Sequence, residues 1–224
     1  MRRRHALLLA ASAGLGAALV PAAVWGQAAG PELLHAAQAG DLQSLRQWLQ
    51  TGVAVDSPDP RGRTALLLAT QGNHIEAARL LIARGANVNA QDDQQDSPYL
   101  YAGAQGRVEI LRMTLAAGAD LRSTNRYGGT ALIPAAHYGH VEVVRLLLTT
   151  AINVNHVNRL GWTALLEAVI LGDGGAAHTE IVRLLLAHGA DASIADRQGV
   201  TALMHARQRG QRAVMGLLER AVPR

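Results

Sequence analysis

The sequence predicts an all-α repeat solenoid, built from helix-turn-helix units. Three observations carry that expectation. A residue suited to starting a helix recurs every 33 residues, at Pro31, Thr64, Ser97, Thr130 and Thr163, and Thr201 follows 38 residues later. Nine residues after each stands a helix-breaking residue: Gly40, Asn73, Gly106, Gly139, Gly172 and Gly210. Asn73 fits this series because asparagine is among the non-glycine residues that best tolerate positive φ. Apolar residues then give each helix one greasy side, as Leu132, Ala135, Val141, Val144, Leu147 and Leu148 do in residues 128–160. Two helices of two turns cannot bury such a side alone, so every unit needs neighbours.

Residues 128–160 are the clearest unit. Thr130 should cap a first helix over 131–138, its hydroxyl accepting an orphan backbone N–H. Gly139 should turn the corner with left-handed backbone, and a second helix should run over 141–148. A period of 33 with a turn and two helices is an established repeat signature. The runs T-A-L-x-x-A and G-H-V-E-V-V-R-L-L-L, echoed by RLLIARGANVNA and RLLLAHGADAS, resemble the ankyrin-repeat family. The resemblance covers about residues 31–222, in six units starting near 31, 62, 95, 128, 161 and 199.

Taken in order, residues 1–26 read as a signal peptide ahead of a repeat domain over 27–224. Arg2, Arg3 and Arg4 form a charged start, residues 6–20 an apolar stretch, and 21–26 a small-residue exit. Fifteen apolar residues fall short of the roughly 20 that span a bilayer, so no stable membrane anchor is expected after cleavage. The chain is expected to be periplasmic or secreted, with both general and twin-arginine export open. There is no cysteine, which excludes disulfides and a lipoprotein anchor. The formal charge of +4 falls to +1 once the three leader arginines are removed, since 18 arginines then face 17 acids. A near-neutral domain with interspersed charges is not a nucleic-acid binder's footprint.

The first unit has a polar outer helix (Gln43, Ser44, Arg46, Gln47, Gln50), as a capping repeat requires. The resemblance implies β-hairpin fingers between the units, at 55–63, 88–96, 121–129, 154–162 and 192–200, with turn formers such as Asp59-Pro60, Asn125 and Asn158 where they reverse. The unit near 95 departs from its neighbours at Gln95 to Tyr99 and at Met113-Thr114, and should be the least stable interior one. The unit near 161 carries five extra residues, 173–177. These are either a tolerated surface loop or a working face, where repeat insertions often map.

No reactive constellation stands out. His74, His140 and His178 share one repeat position, and stacked helices lie on the order of 10 Å apart, whereas zinc ligands must all stand about 2 Å from one ion. They read as structural capping, and His137 with His140 straddles the breaker Gly139. Glu167 and His205 occupy equivalent positions in successive inner helices and suggest a salt bridge. There is no triad motif or phosphate loop, so neither cofactor nor metal is expected, and the chain does not read as an enzyme.

The resemblance implies recognition of proteins through a concave surface of finger tips and inner-helix ends. The matching positions are Arg126, Tyr127, Gly129, His137 and Tyr138 in one unit, and Arg159, Leu160, Trp162, Ile170 and Leu171 in the next. Three of the seven Trp and Tyr residues fall in this small set, and Trp, Tyr and Arg are the usual hot-spot anchors. Trp162 is expected at a finger tip, burying little against its own chain. The sequence thus predicts a monomeric exported scaffold for a protein partner. Two alternatives stand beside it: a groove-based enzyme or ligand-binding protein around His137, Tyr138, Glu167 and His205, and a host-directed effector.

Overall fold

The computed structural model describes residues 30–221; the leader over residues 1–26 lies outside them. Twelve helices follow one another with no named strand among the described residues. They form six pairs, an inner helix followed by an outer one. The pairs are α1 (Gly30–Ala39) and α2 (Leu42–Gln50), α3 (Ala65–Gln71) and α4 (Ile75–Ala83), and α5 (Pro98–Ala104) and α6 (Val108–Ala116). Next come α7 (Leu132–His137) and α8 (Val141–Leu148), α9 (Ala164–Ile170) and α10 (Ala176–Ala187), and α11 (Ala202–Gln208) and α12 (Arg212–Ala221). Inner helices pack on inner helices and outer on outer, each against the next unit. One continuous apolar core results, running from Leu33 through Leu66, Leu132 and Leu165 to Leu218. Among the described residues no helix is long and apolar enough to cross a membrane.

The inner-helix caps follow the expected mechanism in four units. Thr64, Ser97, Thr163 and Thr201 accept from the backbone N–H three residues on, at 3.3, 3.1, 3.2 and 3.4 Å. Thr130 does not, although its unit is the clearest in sequence. Elsewhere the next N–H, of Leu68, Tyr101, Glu167 or His205, donates to the capping residue's carbonyl. That position is Pro134 in α7, and proline has no N–H to give. The Ile133 N–H takes the Thr130 carbonyl instead, at 3.1 Å, and the buried hydroxyl is left without a partner. The helix begins one residue late, at Leu132.

The fingers are present but are not β-hairpins. Each closes with one cross-loop backbone bond, such as Asn158 N–H to the Trp162 carbonyl at 3.0 Å, and one turn bond, Gly161 N–H to the Asn158 carbonyl. The Asx side chain takes the remaining donors: Asn158 Oδ1 accepts from Leu160 and Trp162, as Asn125 Oδ1 does from Tyr127 and Gly129. With those donors used, no ladder is left to extend. Among the described residues a single bridge, Ala195 with Thr201, is all that survives of β pairing. Fingers are stitched to one another instead, through Arg159 N–H to the Tyr127 carbonyl and the Arg197 guanidinium to the Arg159 carbonyl.

The shared corner position ties units together rather than capping its own helix. His74 Nε2 lies 3.0 Å from the Gln38 carbonyl, His178 Nε2 lies 2.8 Å from the His137 carbonyl, and Gln211 reaches Val169 and Gly172. The five-residue insertion preserves this tie. It adds a turn to the start of α10, and Asp173 Oδ1 holds His178 Nδ1 at 2.8 Å. The left-handed residue moves with it, from the expected Gly172 to Gly174 (φ +70°). Gly172 is glycine for space: a Cβ there would stand 2.1 Å from the Ala168 carbonyl and 2.5 Å from the His178 ring.

Departures from ideality gather in the unit near 95. Gln95 is left-handed at φ 59°, and the buried Tyr99 hydroxyl and Arg107 Nε lack partners. The two corner glycines make separable predictions. Gly139 is left-handed (φ +76°), but an added Cβ would meet ordinary contacts, 3.5 Å or more. Gly139→Ala should therefore cost about 1 kcal/mol, the conformational penalty alone. Gly172→Ala should cost about 2–3 kcal/mol through overpacking against backbone. Urea-denaturation midpoints measure both, and the reverse ranking would refute this account of the corner.

Candidate functional site

The fingers near 125 and 158 and the carboxyl ends of α5, α7 and α9 enclose a cleft of about 300 Å³. Its position follows from the repeat geometry, because the Asx turns hold each finger over the end of its own inner helix. Arg126, Tyr127, His137, Tyr138, Leu160 and Leu171 line it, together with Asp96, Tyr101, Asn158 and Glu167. Six of the nine residues singled out from sequence thus converge.

The other three sit elsewhere. Trp162 is half-buried and packs on the core, as does Ile170. The finger-tip expectation for Trp162 is not met: its N–H closes the Asn158 turn like its counterparts in the other fingers, while its side chain packs against the core. Arg159 lies against the preceding finger, where its N–H donates to the Tyr127 carbonyl and Nη1 to the Arg126 carbonyl at 2.9 Å.

The walls of the cleft are aromatic and aliphatic. Tyr127 is 51% exposed, Tyr138 56%, Leu160 46% and Leu171 42%. The Tyr138 ring stacks on His137 with centroids 4.2 Å apart and planes 13° from parallel. Arg126 stands over the Tyr127 ring at 4.8 Å, a cation–π contact.

The floor is polar. Glu167 is buried; its Oε1 accepts from Asn158 Nδ2 at 2.9 Å, and Oε2 stands 3.8 Å from His137 Nδ1. Burial pushes the Glu167 carboxyl up to about 7 against the opposing Asn158 bond, and burial followed by the His178 charge pulls His137 below its ordinary value. Burial and the Asp92 charge likewise raise Asp96, against the pull of Arg126. The expected Glu167–His205 salt bridge does not form. His205 Nε2 bonds instead to Asp196 Oδ2 at 2.7 Å, the Asx residue of its own finger. The sequence points to Glu167 as a salt-bridge partner and in the alternative reading, not among the partner-binding positions. The signal was its register: the same inner-helix position is Leu68, Tyr101, Pro134 and His205 in other units. Among the described residues no three His, Asp or Glu side chains converge to hold a metal ion.

A raised Glu167 pKa has a definite consequence for stability. The protonated form is favoured in the fold, so its contribution is fully present below about pH 4.5 and is lost as pH rises to about 7. Glu167→Gln keeps an acceptor for Asn158 and removes the buried charge. Its stability relative to wild type should rise by roughly 3 kcal/mol between pH 4.5 and pH 8. Urea titrations across that range read the difference, and a flat one would refute the burial.

Comparison with known proteins places this geometry. The model for ankyrin repeats (three copies) matches residues 33–125, 104–191 and 161–222. An ankyrin repeat domain from Acinetobacter baumannii AYE is 58% identical with a TM-score of 0.82, over 84% of this chain and 96% of that one. The ankyrin repeat protein EF0377 is 46% identical with a TM-score of 0.82, covering 85% and 97%. The ankyrin repeat domain of Bcl-3, described as a unique member of the IkappaB family, is 28% identical with a TM-score of 0.76, over 86% of each chain. No curated protein matches significantly. Ankyrin repeats generally serve as protein-interaction scaffolds and are typically non-enzymatic. With six helix pairs stacked in step and five fingers between them, the chain belongs to the ankyrin-repeat family.

Proposed function

We propose that the chain is an exported, monomeric scaffold that recognises a partner protein through its concave face of finger tips and inner-helix ends. One observation carries the reading. Six large apolar side chains stand exposed among the described residues, and four of them, Tyr127, Tyr138, Leu160 and Leu171, line a single cleft. Exposed aromatic side chains gathered at one place are what interface hot spots are made of, and a stacked-repeat frame presents them without loop ordering, which lowers the cost of association. Arg126 joins the tyrosines as a second anchor type. Arg159, Trp162 and Ile170 brace this face from its edge and from beneath. The leader-like composition of residues 1–26 supports export, with the periplasm as the default destination.

Two measurements test the proposal. Tyr127→Ala and Tyr138→Ala should each weaken a crosslinked periplasmic partner by about 2 kcal/mol, roughly thirtyfold, with little change in folding stability. Arg79→Ala, on the outer helix α4, should leave binding unchanged. The opposite pattern would move the working surface to the outer helices. Protein recovered from the periplasm should begin between Gln27 and Glu32 by N-terminal sequencing; recovery with Arg2 to Arg4 intact would sink the export argument.

A further inference from the structure

We infer that the cleft is a receptor for one arginine side chain of an extended segment of the partner protein, with Glu167 as its counter-ion. This rests on the concave-face reading and specifies its chemistry.

Glu167 is the reason. A buried carboxylate is costly unless a cation and hydrogen bonds compensate it. Here Oε1 has one donor, Asn158, while Oε2 has only the His137 ring at 3.8 Å, beyond hydrogen-bond reach. Among the described residues no arginine pairs with Glu167; its one charged neighbour is His137. Its register position takes apolar or aromatic residues in three other units (Leu68, Tyr101, Pro134), so the fold does not demand an acid there. Glu167 nevertheless lines the cleft, 6% exposed, at the foot of open aromatic walls. Of the other charges lining the cleft, Asp96 and Arg126 oppose one another, and burial holds His137 toward its neutral form. The acid without a cation partner among the described residues therefore lies at the floor, and because burial raises it to about 7 it carries its negative charge above that pH, which is where the test below is run.

The walls select the cation. A guanidinium is planar, stacks on aromatic faces and presents several donors to one carboxylate. Tyr138 stacks on His137 yet is more than half exposed, which leaves ring surface open to the cleft. Leu160 and Leu171 offer apolar surface to the methylene stem, which long basic side chains bury readily. A volume of about 300 Å³ is at the lower limit of small-molecule sites, so it takes one long side chain rather than a folded surface. The exposed apolar rim around it then seats the flanking segment.

The test is an NMR titration of the isotope-labelled protein with the peptide acetyl-Gly-Gly-Arg-Gly-Gly-amide, the matched glutamine peptide, and agmatine as a free guanidinium. The arginine peptide should give saturable shifts at the amides of Gly129, Tyr138 and Leu171, at least tenfold tighter than the glutamine peptide. Glu167→Gln should erase that preference. Leu171→Lys, on an exposed side chain that folding does not require, should abolish binding by placing a cation at the mouth. Equal response to both peptides, or a preference surviving either variant, would overturn the inference. Agmatine binding more tightly than the arginine peptide would also overturn it, by making the cleft a small-molecule site. If Tyr138→Ala loses the crosslinked partner while Glu167→Gln keeps it, the concave-face reading stands and the arginine assignment falls.

Discussion

Every feature of this chain depends on one constraint: a two-turn helix pair cannot bury its own apolar side. Leu66, Leu132 and Leu165 are fully buried only because the next unit covers them. Stability is therefore a property of interfaces between units. The same interfaces carry polar ties at both ends of each unit. At the corner, His74, His178 and Gln211 reach back to carbonyls of the preceding unit. At the fingers, Arg159 and Arg197 do the same.

That construction explains how much was legible in the residues. Helix starts, corners and finger positions follow from local chemistry repeated in step, so their recurrence exposes them. Trp162, Thr130 and Gly172 were misread because each depends on a partner outside its local pattern. Trp162 makes the finger bond common to its position, but its large apolar ring finds the core beside it. Thr130 loses its capping role to Pro134, which is itself compatible with a helix start. Gly172 keeps the breaker register while the insertion moves the left-handed turn to Gly174. Finger hairpins were expected from the resemblance, with turn residues marking their reversals, but the Asx side chains consume the donors that a ladder would need.

The site was legible in part for the same reason. Finger-tip and corner positions are surface positions in every unit, so Arg126, Tyr127, His137, Tyr138, Leu160 and Leu171 could be placed by register. Whether they share one cleft depends on how far each side chain leans, which periodicity does not encode. Glu167 shows the limit most clearly. Its equivalence to His205 suggested a pair, yet each takes the Asx residue of its own finger, Asn158 and Asp196. Within a unit, the finger lies closer to the inner helix than does the corresponding residue one unit away.

This local preference has a functional consequence. In the last unit the acid sits on the finger and the base on the helix, so Asp196 and His205 satisfy one another and the charge is closed off. Asp196 is held below the ordinary carboxylate range, first by the Val200 N–H and also by His205. One unit earlier the acid sits on the helix and a neutral amide on the finger, so Glu167 gains a hydrogen bond but no charge partner. The two units share a backbone plan and differ in whether the electrostatics are complete. A rigid repeat frame tolerates that incompleteness at one position because its stability is spread over all the others. An unspent carboxylate facing an open aromatic cleft can thus be kept for something outside the chain.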